Sequence, residues 1–134
     1  MSNYSKKQIF ENSRVNALLD RIYFEIVNAL PDIKAEENLC LTGKAAALLQ
    51  DAIYEDTECE NIILLTGSIE LHNFIERKLP RLIEHEGVVR LQNRTLYYFP
   101  GLYLEVWYQE EDIYMTRVNE INVQELKSIN PAFL

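Results

Sequence analysis

Val15, Leu18, Leu19, Ile22, Ile26 and Leu30 recur at three- and four-residue spacing, which lays one apolar stripe along a helix. The spacing predicts a long amphipathic helix over roughly 5–30, stopped by Pro31. Asn38 to Thr42, NLCLT, reads as a short strand, and Thr42-Gly43 turns the chain into an Ala/Leu-rich helix from Lys44 to about Ile53. Asn61 to Thr66, NIILLT, is nearly continuous in apolar residues, the pattern of a central strand covered on both faces. Ser68 is placed to cap a helix with Glu70 in its first turn, and Leu71, Phe74, Ile75, Leu79, Leu82 and Ile83 carry its stripe to about Glu86. Pro80 falls inside that stripe. An interior proline removes a backbone hydrogen bond and costs about 3 kcal/mol, so a kink near Lys78 or two shorter helices are expected.

After Gly87 the period changes to two. VVRLQ, TLYYF, LYLEVWYQ and IYMTRV, with turn signals at Asn93-Arg94 and Pro100-Gly101, predict an antiparallel meander. Asn122 with Glu125 has the spacing of a capping box, and Ile121 with Leu126 that of a hydrophobic staple, for a short final helix ending at Asn130-Pro131. The whole order gives an α+β class, a mixed β-sheet with helices packed on it.

At 134 residues, 48% hydrophobic, the chain suits one domain over 1–134, with the long helix at its N-terminal end. Thirteen Lys plus Arg against 21 Asp plus Glu leave a net charge of −8, which repels a phosphate backbone and excludes nonspecific nucleic-acid binding. No stretch approaches the roughly 20 apolar residues that span a bilayer, and no apolar run follows the two N-terminal lysines as in a signal peptide. Cys40 and Cys59 sit in apolar contexts without CxxC spacing, as reduced core thiols do, so a cytoplasmic location is expected.

A strand that ends in glycine at a helix start offers backbone N–H groups to an anion, which makes Thr42, Gly43 and Lys44 a candidate phosphate seat. The plainer alternative is that Gly43 makes the turn and Lys44 is solvated. The succession LTGKAAALLQ, TECENIILLT and LYLEVWY resembles the nucleotidyltransferase superfamily, in particular the small bacterial members of toxin–antitoxin and abortive-infection systems. The similarity spans about Asn38 to Gln109. In that family one strand ends in Gly-Gly or Gly-Ser, the next carries Asp-x-Asp, and a later strand carries a third Asp. Together these hold a nucleoside triphosphate and magnesium for nucleotidyl transfer.

Carried onto this chain, the first glycine of the pair becomes Thr42, Asp-x-Asp falls on Asn61 and Ile63, and the third carboxylate becomes Glu105. Two magnesium ions need hard anionic oxygens. An isoleucine offers none and an asparagine brings no charge. The resemblance therefore implies a catalytically inactive, nucleotidyltransferase-like domain without cofactor or metal, working as a protein-binding or regulatory module whose partner is another protein. A register slip of three residues instead puts Glu58 and Glu60, which alternation places on one side of a strand, beside Glu105 as the ligands of an active enzyme. A third possibility is an unrelated small α+β interaction protein. Strand order separates it, because the family requires the strands at Asn38 and Asn61 to be neighbours with the Glu105 strand beside them.

His72 and His85 are thirteen positions apart with Pro80 between them, too far to share a metal as an i, i+4 pair would, and both read as surface residues. In LYLEVWYQ, Tyr103, Glu105 and Trp107 share one face while Leu102, Leu104, Val106 and Tyr108 share the other. Aromatic faces that stack bases work beside positive charge, and here Glu105, Glu110, Glu111 and Asp112 outnumber Arg90 and Arg94. These rings are expected in the core or at a protein interface.

Overall fold

The computed structural model describes residues 17, 21, 38–50, 61–82, 86–99, 102–118 and 121–133. Most of the expected N-terminal helix, the acidic stretch 55–60 with Glu58, Cys59 and Glu60, the turn at 100–101, and His85 lie outside them. Seven strands form one sheet: β1 (Leu39–Thr42), β2 (Asn61–Thr66), β3 (Gly87–Leu91), β4 (Arg94–Phe99), β5 (Leu102–Tyr108), β6 (Met115–Val118) and β7 (Ile121–Gln124). Helix α1 (Gly43–Leu49) follows β1, and α2 (Ile69–Leu82) follows β2. The strand order is β3-β4-β5-β2-β1-β7-β6. It is a mixed sheet, since β2 runs antiparallel to β1 but parallel to β5, and β1 parallel to β7. Among the described residues no helix is long and apolar enough to cross a membrane.

β2 is central because it has no polar face to present. Ile62 through Thr66 are all buried, as the unbroken apolar run requires. Its even positions, Ile62 and Leu64, lie in register with Leu104 and Val106 of β5, and Leu64 pairs with Leu41 of β1. Leu71, Ile75 and Leu79, recurring every four residues along α2, are buried in the same cluster with Tyr97, Ile121 and Val123. Ser68 caps α2 as expected: its Oγ accepts from Leu71 N–H at 3.2 Å. The helix does not divide at Pro80 but runs through it to Leu82. Burying one Leu or Ile side chain is worth about 1.5–3 kcal/mol, so the stripe outweighs the one backbone bond that proline removes.

Two further expectations are corrected. Ile121–Gln124 is strand β7, not the start of a helix: it pairs antiparallel with β6 and parallel with β1, which buries Ile121 and Val123. Two flanking strands outweigh a local capping signal. Leu126–Ser128 forms only a short 3-10 turn with no side-chain cap, and Leu126, the other half of the expected staple, is exposed. The meander holds for β3, β4 and β5, but β6 crosses to the opposite edge and pairs with β7.

Leu64→Ala should lower unfolding stability by about 2–5 kcal/mol and Ser68→Ala by about 1 kcal/mol, both read as shifts of the urea midpoint. Equal losses would mean that β2 is not the centre of packing.

Candidate functional site

The register sets one row of side chains across the face of the sheet opposite the α2 contacts. Thr42 pairs with Ile63, and Ile63 pairs with Glu105. Asn61, two residues before Ile63, shares this face. Thus the i, i+2 pair on β2 and a facing carboxylate on β5 occupy one patch. Asn61 Nδ2 donates to Glu105 Oε2 at 3.2 Å. Trp107 Nε1 donates to Glu105 Oε1, also at 3.2 Å. Arg94 Nη1 lies 3.6 Å from that same oxygen, and its guanidinium carbon sits 4.8 Å from the centre of the Trp107 ring. Both oxygens of Glu105 are therefore committed within the protein. The carboxylate side chain is 14% exposed and Arg94 34%, so water screens the pair in part.

Thr42 is fully buried, and its hydroxyl donates to Oε1 of buried Gln124 on β7 rather than capping α1. Gly43 adopts φ +67°, and a Cβ there would stand 3.1 Å from the Phe133 carbonyl oxygen and 3.2 Å from Ile63 Cδ1. Glycine is required for both reasons. Phe133, in the 3-10 turn Pro131–Phe133, packs on Trp107 with ring centres 5.2 Å apart. The C-terminal turn thus lies over the glycine and Ile63, where the Thr42-Gly43-Lys44 turn would have to receive an anion. Lys44 is half-buried on α1. Beside the row is a cleft of about 530 Å³ lined by Leu65, Trp107, Gln109, Gln124, Asn130 and Phe133, among others.

No protein-family model matches the chain, and no curated protein matches it. A solved structure from Thermotoga maritima, described as a candidate nucleotidyltransferase, superposes on 91% of this chain and 83% of its own length with a TM-score of 0.59 at 18% sequence identity. The fold is nucleotidyltransferase-like. The neighbouring strands β5, β2 and β1 meet the adjacency that the sequence resemblance requires.

Within this nucleotidyltransferase-like fold, Asn61, Ile63 and Glu105 offer an amide, an alkyl group and one carboxylate already bonded to three neighbours. That donor set does not fit a pair of magnesium ions, each of which needs several hard oxygens. Among the described residues no cluster of three or more His, Cys, Asp or Glu is placed to hold a metal. Cys40, in the row with Leu65 and Trp107, is a free thiol that burial pushes up to about 12. It is a packing residue and not a nucleophile.

His72 corrects another expectation: it is 4% exposed. It sits on the inner side of α2 with Nε2 3.2 Å from Glu76 Oε1, and Glu76 also accepts from the Thr95 hydroxyl on β4. His72 and Glu76 stand at ordinary helical spacing, and nothing in that spacing shows that β4 would cover the pair. Arg94 and Trp107 as partners of Glu105 were missed as well, because their proximity arises from the β4–β5 register, in which Arg94 faces Trp107.

Burial lowers the His72 pKa below its ordinary 6.5, against a smaller upward pull from Glu76. The folded state therefore binds this proton less readily than the unfolded chain. The resulting stabilisation is complete above about pH 6.5 and is lost as pH falls through that value toward the folded-state pKa. His72→Gln should flatten this fall in denaturation midpoints measured from neutral to mildly acidic pH. An unchanged slope would assign the acid sensitivity to other groups.

Proposed function

We propose that this chain is a nucleotidyltransferase-like domain that has lost catalysis and acts by binding another protein, in the cytoplasm, in the manner of the small bacterial toxin–antitoxin and abortive-infection members. One observation carries the reading: Glu105, the sole carboxylate of the row among the described residues, is neutralised by Arg94 and held by Asn61 and Trp107, while hydrophobic Ile63 stands at the second ligand position. A cation entering there would have to displace a guanidinium and would still find too few anionic oxygens. The packing of Phe133 over Gly43 gives further support, since it occupies the approach to the turn.

Titration of the protein with ATP and magnesium in a calorimeter should give no saturable heat, and labelled nucleotide should not be transferred to protein or nucleic-acid acceptors. Transfer that disappears in Glu105→Ala would overturn the reading and favour an active site completed by Glu58 and Glu60. Conversely, Asn61→Asp combined with Ile63→Asp restores three carboxylates to the row. This variant should gain manganese binding that the native protein lacks, followed by calorimetry, at a cost in stability because Ile63 is buried.

A further inference from the structure

On the α2 side of the sheet, away from Glu105, a groove of about 470 Å³ runs between α2 and β3, lined by Glu76, Arg77, Lys78, Pro80, Arg81 and Arg90. Four of the chain's 13 Lys and Arg meet there against one carboxylate, in a protein of net charge −8. That carboxylate, Glu76, is already engaged by His72 and Thr95. Arg77 and Lys78 stand over the Phe74 ring at 5.8 and 5.9 Å from its centre, and Arg81 is one helical turn beyond Arg77. Arg90 faces them from β3, on the same side of the strand as Thr95, its partner on β4. The groove is a local reversal of the sign of the molecule.

The second observation is the strand that forms its wall. Among the described residues β3 is the outermost strand at its end of the sheet, so none of them pairs as a strand with its outer edge, and Val89, Arg90 and Leu91 are exposed. Its side chains alternate: Arg90 points to the basic groove, while Val89 and Leu91 emerge on the opposite face, 41% and 46% exposed. An edge strand with Arg90 beside the α2 cations on one face, and Val89 and Leu91 on the other, specifies its complement. We propose that β3 takes up an extended acidic segment of a partner protein by strand addition, with carboxylates alternating toward Arg90, Arg77 and Arg81 and apolar side chains beside Val89 and Leu91. Main-chain bonding supplies the attachment and the alternating side chains the selectivity. The proposal rests on the protein-binding reading above and names its surface.

The probe is a short synthetic peptide alternating glutamate and valine, titrated against the full chain by fluorescence anisotropy. Saturable binding is expected, weakened at least about tenfold by Arg81→Glu with Arg90→Glu, in a variant whose circular dichroism matches that of the native protein. N-methylation of every second peptide bond, in one of its two registers, should abolish binding because it removes the donors facing β3. The proposal is overturned by no binding, by insensitivity to both changes, by equal binding of a same-composition peptide with its glutamates in one block, or by tighter, charge-reversal-sensitive binding of single-stranded RNA. Nucleotide transfer at Glu105 would remove the inactive-domain reading and leave this titration unaffected. Failure of the titration alone would remove this groove and leave the inactive-domain reading standing.

Discussion

The structure depends on the double burial of β2. A strand with Ile62, Ile63, Leu64 and Leu65 in succession loses stability from either face left wet, and it is satisfied only between two strands with cover above and below. Its antiparallel pairing with β1 and parallel pairing with β5 follow from that need. So does the placement of α2, whose stripe closes one face. The same pairings bring Thr42, Ile63 and Glu105 into line, so the constraint that stabilises the core also assembles the patch that resembles a catalytic row.

What that patch can do is decided by charge. A carboxylate in a partly dry setting must find compensation, and Glu105 finds it in a guanidinium, an indole N–H and an amide N–H. Cation–ring contact between Arg94 and Trp107, and ring contact between Trp107 and Phe133, extend the network to the C-terminal turn. The arrangement is self-sufficient. In a metal-dependent site the same positions would repel one another until a cation arrived.

Much of this was legible in the sequence where local pattern and tertiary demand agree. The central strand, the Ser68 cap, the β3–β5 meander and the α+β class all follow from periodicity and turn chemistry, and family-like spacing singles out Thr42, Asn61 and Glu105, which the strand register sets on one face. The hairpin between β3 and β4 was also marked, with Asn93 at φ +64°. Sequence misled where a long-range partner decided the outcome. Asn122 and Glu125 carry a sound cap signal, yet β1 and β6 recruit Ile121–Gln124 as a strand. His72 looks like a surface residue until β4 supplies Thr95 to the Glu76 beside it. Arg94 looks like a turn residue until β5 sets Glu105 within its reach.

Gly43 and Phe133 are ninety positions apart in the chain, yet the backbone carbonyl of one fills the volume a methyl group would need on the other. The turn after β1 and the 3-10 turn Pro131–Phe133 are consequently geared together. A side chain at residue 43 must either displace the turn Pro131–Phe133 or distort the β1–β2 pairing, and once that turn is displaced, residue 43 gains room it otherwise lacks. The energetic effects of changing both positions should therefore not be the sum of changing each, which makes the turn Pro131–Phe133 a part of the central architecture.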